Sequence, residues 1–168
     1  MATFEDLGFT EVEVASVPAV QISGQCGTDP SEIAAALGPA FCNLQGYVNE
    51  NSLTPVGPPR TIYTGYGPEG MTFVVAFPIA APDEVPDDSE SGAIGTLEGG
   101  KAMRFTHKGP YPKLMETYGQ ITEFLKGKGL METEADWARY MPMWEEYLND
   151  PQTTPEAELL TYIYLPVS

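Results

Sequence analysis

The chain has 168 residues, of which 24 are acidic and 8 are basic, so its formal net charge at pH 7 is −16. Apolar residues make up 42% and charged residues 19%, which favours one packed domain over a disordered chain. Such an acidic protein repels phosphate backbones and attracts cations. The composition therefore argues against direct nucleic-acid binding and agrees with a cationic partner.

Metal sites and nucleophilic catalysis find no support in the sequence. Cys26 and Cys42 lie in no metal-binding pattern, and His107 is the single histidine, so we expect no metal and no cofactor. Neither a GxSxG motif nor a nucleophile paired with His107 is present, which argues against a serine or cysteine hydrolase. No export signal and no apolar run of membrane-spanning length occurs, so we expect a cytoplasmic protein.

The first half of the chain predicts a strand and then a helix. Residues 9–22 are rich in β-branched side chains and predict one long strand that is bent at Pro18. Asp29 and Pro30 are typical of a helix start. Gly38 and Pro39 interrupt the helical pattern, so the sequence predicts a short first turn and a main helix over residues 39–50.

A hairpin and an acidic linker follow the helix. Residues 58–66 and 71–79 predict two strands joined by a tight turn. The turn GYGPEG matches the dinucleotide-binding pattern G-x-G-x-x-G, but a strand follows it where a nucleotide site needs a helix, so we reject that reading. Residues 81–92 hold five acids and two prolines, and they predict a solvated linker.

The second half repeats this order of elements. Residues 93–109 predict a strand bulged at Gly99 and Gly100, Pro112 begins a helix, and residues 138–148 and 158–168 predict two further strands. VVAFPIA (74–80) and YIYLPVS (162–168) share a pattern. The sequence therefore predicts an α+β fold in one domain, residues 1–168. Duplicated β-α-β-β halves, about 9–80 and 93–168, would form an antiparallel sheet with both helices on one face and a central cleft.

Two adjacent glutamates lie in the next-to-last predicted strand. Alternation along MPMWEEYL places Glu145 on one face with Met143 and Tyr147, and Glu146 on the other face with Trp144. A carboxylate buried among such side chains must raise its pKa or pair with a cation, and methionines suit a pocket that accepts varied ligands. The alternative is that both glutamates are exposed on an edge strand.

Three stretches resemble the GyrI-like small-molecule-binding domain, also named the AraC-type effector-binding domain. They are GPPRTIY (57–63), HKGPYPKLMETYGQITEFL (107–125) and EEYLNDPQTTPEAELLTYIYLPV (145–167). The resemblance covers nearly the whole chain and implies a stand-alone member, because no helix-turn-helix precedes the first strand. The break at Gly38 and Pro39, the acidic linker and Trp144 depart from the family pattern.

The resemblance implies a central cleft that takes lipophilic, often cationic, aromatic compounds. Glu145 matches the family's buried glutamate and would supply the counter-charge. The walls would be aromatic and soft apolar side chains, which suit a delocalised cation: Tyr47, Tyr63, Tyr111, Trp137, Met143 and Tyr147. His107 either lines this pocket or caps a loop.

Two other activities remain open from the resemblance. Some family members hydrolyse cyclopropane-bearing alkylating agents, and in such an enzyme Glu145 and Tyr147 would be catalytic, with Glu145 as a general base of raised pKa and no cofactor. One member inhibits gyrase, so an acidic protein-interaction role is the third reading, with the protein partner unknown.

Overall fold

A computed structural model describes residues 7–27, 29–67, 70–87, 92–149 and 153–167. In these ranges the regular elements are β1 (Thr10–Val14), β2 (Val17–Cys26), α1 (Pro30–Glu50), β3 (Arg60–Gly67), β4 (Gly70–Pro78), β5 (Ala93–Leu97), β6 (Gly100–Lys108), α2 (Leu114–Gly127), β7 (Met143–Tyr147) and β8 (Leu160–Pro166). The strands form one antiparallel sheet in the order β1-β6-β8-β7-β3-β4-β2-β5. This architecture confirms the predicted α+β class with duplicated halves.

The pairing of the strands repeats between the halves. Residues 10–14 of β1 pair with residues 104–100 of β6, and residues 93–97 of β5 pair with residues 21–17 of β2. Each half therefore places its first short strand at the edge of the other half's sheet. The halves also join at the centre of the sheet, where β3 lies beside β7.

Two bends make this exchange of strands sterically feasible, and they touch each other. The chain turns between β1 and β2 at residues 15–16 and between β5 and β6 at residues 98–99. The backbone N–H of Gly99 donates to Ser16 Oγ at 2.9 Å. A Cβ atom on Gly99 would lie 2.0 Å from the carbonyl oxygen of Val14, so only glycine fits this contact.

The structure corrects both sequence predictions for these strands. The bend expected at Pro18 lies earlier in the chain, and Pro18 pairs with Thr96 inside β2. The bulge expected at Gly99 and Gly100 is a complete break between two strands. Both predictions were wrong for the same reason, because each strand changes its partner at the bend and local sequence does not reveal a distant partner.

Helix α1 starts as predicted but is not divided. Asp29 Oδ1 accepts from the backbone N–H of Ser31 at 2.9 Å, and Pro30 occupies the first helical turn. Pro39 lies inside a continuous helix, although a proline there removes a backbone hydrogen bond and costs about 3 kcal/mol. Burial of Leu44 and Val48 against the sheet offsets that cost.

The hairpin of β3 and β4 is confirmed, with residues 68 and 69 of its turn outside the described residues. Residues 138–140, predicted as strand, belong to a 3-10 helix, Glu134–Tyr140, which we name the strap. The strap opens with a capping box between Thr133 and Asp136, a local interaction that outweighs strand propensity. The predicted helix at Pro112 is a 3-10 turn, residues 111–113, that leads into α2.

Two apolar clusters fill the helix-bearing face of the sheet. The α1 cluster contains Val20, Leu44, Tyr47, Val48, Tyr63, Met71, Phe73, Val75, Ile79 and Met143. The α2 cluster contains Leu7, Met103, Phe105, Ile121, Phe124, Leu125, Met131, Tyr140, Ile163 and Leu165. Tyr118 and Trp137 pack against both clusters. Within the ranges that the structure describes, none of the helices has both the length and the hydropathy needed to cross a bilayer.

The contact between the two bends yields a stability prediction. We expect Gly99→Ala to lower the free energy of unfolding by about 2 kcal/mol or more, because its Cβ would overlap backbone atoms. Gly38→Ala is the matched control. No atom lies within 4 Å of a Cβ placed at Gly38, so this variant should gain about 0.5–1 kcal/mol from its helical position. Urea unfolding measures both, and a Gly99→Ala protein as stable as the wild type would contradict the bend-to-bend contact.

Candidate functional site

Glu145 is buried at the centre of the sheet. It lies on β7, opposite Thr61 of β3 and Ile163 of β8, and its side chain points to the helix-bearing face. Only 3% of the residue is exposed. Removing a carboxylate from water is costly unless hydrogen bonds replace those of the solvent. The surroundings of Glu145 must therefore supply donors.

Three tyrosine hydroxyls supply these donors. Tyr147 donates to Oε1 of Glu145 at 2.8 Å, and Tyr63 donates to the same oxygen at 3.3 Å. Tyr118, on α2, donates to Oε2. The hydroxyl of Thr61 lies 2.7 Å from the Tyr147 oxygen, and because the Tyr147 proton is given to Glu145, Thr61 is the donor in that contact.

The pKa values in this cluster follow from burial. Burial raises the pKa of Glu145, while the hydrogen bonds from Tyr118, Tyr147 and Tyr63 act in the opposite direction by stabilising the carboxylate. Burial, and then the charge of Glu145, hold the pKa values of the three tyrosines well above their ordinary value. The phenols therefore stay protonated and remain donors.

The duplication of the chain accounts for two of the three phenols. Thr61 and Glu145 face each other across the boundary between the halves, and a tyrosine follows each of them two residues later on the same face. Tyr63 and Tyr147 are thus equivalent positions of β3 and β7. The sequence carried this signal in the parallel patterns T-I-Y and E-E-Y, and both tyrosines were predicted as site residues.

Tyr118 was not predicted as a site residue. The sequence placed it on the apolar line of α2, which is correct, but helical spacing does not show which strand residue a helix side chain meets. Two other aromatic residues predicted for the site lie close to these phenols. The Tyr111 ring is 5.5 Å from the Tyr147 ring, and the Trp137 ring is 5.8 Å from the Tyr118 ring.

The remaining predicted residues lie farther out in the network of contacts. Met143 and Tyr47 belong to the α1 cluster, and the Tyr47 hydroxyl donates to the carbonyl oxygen of Asp87 at 3.2 Å. His107 is buried, with Nε2 3.1 Å from the carbonyl oxygen of Pro110 and Nδ1 2.5 Å from Thr117 Oγ1. A carbonyl only accepts, so Nε2 donates to Pro110. These contacts agree with the loop-capping reading of His107.

Glu146 is buried on the opposite face and has its own counter-charge. Its Oε2 lies 3.0 Å from Nε of Arg60, and next to this pair Trp144 stacks on Tyr164 with ring centroids 4.9 Å apart. The alternative of two exposed glutamates on an edge strand is therefore wrong, because β7 is a central strand. In contrast, no basic side chain of the described residues lies within 4.0 Å of the Glu145 carboxylate.

Comparison with known proteins identifies the family. Residues 10–168 match the GyrI-like small molecule binding domain, so the chain belongs to this family of ligand-binding domains. None of the curated proteins matches the sequence significantly.

Solved structures share the fold at low sequence identity. The EcmrR C-terminal domain is 17% identical, with a TM-score of 0.73, and the alignment covers 95% of this chain and 96% of that one. A hydrolase from Listeria innocua is 14% identical, with a TM-score of 0.61 and coverages of 95% and 91%. SAV2435 bound to tetraphenylphosphonium is 15% identical, with a TM-score of 0.60 and coverages of 95% and 93%.

A metal-based site has no support from the described side chains. In those parts of the chain, no group of three or more His, Cys, Asp or Glu side chains could hold a metal ion. The groups that the structure describes around Glu145 are phenols and aromatic rings.

The phenol network yields a prediction for the pKa of Glu145. We expect Tyr118→Phe to raise this pKa further, because the variant loses a hydrogen bond that stabilises the carboxylate. Tyr140→Phe is the control, since its hydroxyl donates to the carbonyl oxygen of Leu130. Carboxyl carbon-13 shifts of labelled glutamate report the pKa, with Glu145→Gln to assign the signal. An unchanged or lower pKa in Tyr118→Phe would contradict the network.

Proposed function

We propose that the protein binds lipophilic cations at Glu145, in a role of drug sensing or sequestration. The observation that carries the proposal is a buried carboxylate with no basic partner among the described side chains. A cation that loses its hydration shell there meets an opposite charge in surroundings of low dielectric, where attraction is stronger than in water. Ligand binding in general follows from the family, and the charge of the ligand is the added claim.

Aromatic side chains around Glu145 favour a delocalised cation over a compact one. Tyr147 and Tyr118 contact the carboxylate, and the rings of Tyr111 and Trp137 pack against these two tyrosines in turn. A bulky organic cation gains both apolar burial and cation–π attraction from such walls. A metal ion or a simple ammonium would lose its hydration water and would gain little apolar burial in return. The tetraphenylphosphonium bound by SAV2435 has this chemistry and is a suitable probe.

The phenols make the carboxylate adaptable. In the closed structure three hydroxyls satisfy Glu145, so a cation that approaches Oε1 or Oε2 displaces or redirects at least one phenol. When the proton of Tyr147 turns away from Glu145, the Tyr147 oxygen still accepts from the hydroxyl of Thr61, 2.7 Å away. The Tyr147 oxygen therefore stays hydrogen-bonded as the site passes from closed to occupied.

Removal of the negative charge of Glu145 tests the proposal. We expect Glu145→Gln to weaken tetraphenylphosphonium binding about tenfold to hundredfold, because one charged contact of about 1.5–3 kcal/mol is lost. Binding of neutral triphenylphosphine oxide should change far less. Glu123→Gln is the matched control, since it removes the same charge from an exposed position on α2. Equal weakening of the cation and the neutral compound would contradict a counter-charge role.

Hydrolysis of strained, cyclopropane-bearing electrophiles is the second candidate. The observation that favours it is the contact of a carboxylate of raised pKa with the Tyr147 hydroxyl, and one fold neighbour is a hydrolase. Glu145 would take a proton from water as the water oxygen bonds to a ring carbon. The ring C–C bond breaks, its electron pair moves to the conjugated oxygen of the substrate, and Tyr147 stabilises the phenolate that forms.

Mass spectrometry distinguishes this reaction from binding alone. If the protein is an enzyme, a cyclopropane-containing alkylator gains the mass of one water, at a rate that Glu145→Ala reduces to background. Glu123→Ala is the control. A rate in the wild type equal to that in Glu145→Ala would eliminate hydrolysis of this substrate class and leave the binding proposal intact.

A further inference from the structure

The Glu145 site is closed, so a ligand reaches it only when part of the protein moves. Glu145 is 3% exposed and Tyr63 is 6% exposed. The hydroxyls of three tyrosines donate hydrogen bonds to the carboxylate oxygens of Glu145. The contacts of the elements that cover Glu145 indicate which of them moves to admit a ligand.

Trp137 lies at the boundary between the two clusters. It packs against both the α1 cluster and the α2 cluster, and its ring meets the ring of Tyr118 edge-on at an interplanar angle of 70°. Tyr118 in turn donates to Glu145. Trp137 thus lies directly behind one of the three groups that hold the carboxylate.

The strap that carries Trp137 is attached mainly to the second half. Tyr140 at its end belongs to the α2 cluster and donates from its hydroxyl to the carbonyl oxygen of Leu130 at 2.9 Å. Ala135, Ala138 and Arg139 are exposed. Of the strap side chains that the structure describes, Trp137 is the one packed against the α1 cluster.

In addition to its apolar contacts, Trp137 has a hydrogen bond that fixes its indole ring. Thr122, on α2, is 8% exposed, and its Oγ1 accepts from the indole N–H of Trp137 at 3.1 Å. The same hydroxyl donates to the backbone carbonyl oxygen of Tyr118 at 2.9 Å. Its one proton and one of its lone pairs are thus committed to the two residues that cover Glu145.

We propose that Thr122 is a positioning residue that holds Trp137 closed over the Glu145 site, and that displacement of Trp137 admits the ligand. The inference rests on the proposed ligand-binding function for its last step. Moving α1 instead would expose the buried Leu44 and Val48, whereas displacing the Trp137 side chain, with Tyr140 kept in the α2 cluster, exposes one large apolar side chain that is already half-buried. Displacing Trp137 is therefore the less costly way to open the site.

The test compares three side chains at position 122. Thr122→Val keeps the β-branched shape and removes the hydroxyl, while Thr122→Ser keeps the hydroxyl. In a Trp144→Phe background Trp137 is the only tryptophan, because the chain has two. We expect Thr122→Val to increase acrylamide quenching of Trp137 and to raise the association rate constant of tetraphenylphosphonium about fivefold, as expected for one lost hydrogen bond. Thr122→Ser should restore both values.

A second variant keeps the proposal testable if Thr122→Val folds poorly. Trp137→Phe retains an aromatic ring and removes the N–H donor, so it should raise the association rate constant to a similar extent. Association rates equal to the wild type in both variants, or a Thr122→Ser protein that behaves like Thr122→Val, would overturn the proposal. Quenching needs no ligand. Increased quenching without any tetraphenylphosphonium binding would sustain the positioning role and refute the proposed function.

Discussion

The hydrogen bonds between one buried carboxylate and three phenols are the interaction on which the site depends. Glu145 occupies the centre of an eight-stranded sheet, where an uncompensated charge would destabilise the fold. Its donors come from β3, β7 and α2, so the cluster requires both halves of the chain to be in register. Stability and the proposed ligand recognition therefore share the same side chains.

Duplication followed by divergence explains the asymmetry of this cluster. The strand registers of the two halves are equivalent, and the equivalent position of Glu145 in the first half is Thr61. Threonine at both positions would give a neutral junction, and glutamate at both would place two carboxylates side by side, at a large electrostatic cost. One glutamate and one threonine leave a single negative charge near the axis that relates the halves.

The adjacent glutamates show how alternation of a strand separates two roles. Glu146 faces away from the helices and pairs with Arg60, which neutralises it within the protein. Glu145 faces the helices and meets only phenols among the described residues. The Glu146 carboxylate therefore has a counter-charge within the folded chain, whereas the charge of Glu145 is the one that we propose pairs with a ligand.

The sequence predicted what short-range patterns control and missed what distant contacts control. Capping rules predict the start of α1 at Asp29, and turn rules predict the β3–β4 hairpin. Alternation along a strand places Glu145 and Tyr147 on the same face of the sheet. The exchange of β1 and β5 between the halves depends on partners about 70 to 95 residues away in the chain, which local rules do not address. Tyr118 was missed because the rotation of α2 over the sheet is set by packing.

The number of protons released when tetraphenylphosphonium binds tests the central claim most directly. Calorimetry in buffers of different ionisation enthalpy gives this number at each pH. Because burial raises the pKa of Glu145 above its ordinary value of 4.5, a cation that pairs with the carboxylate should expel its proton at pH values below that raised pKa. We expect release of close to one proton at low pH, a fall to none as the pH rises through the raised pKa, and none at any pH in Glu145→Gln. Binding without proton release across this pH range, or the same release in Glu145→Gln, would contradict it.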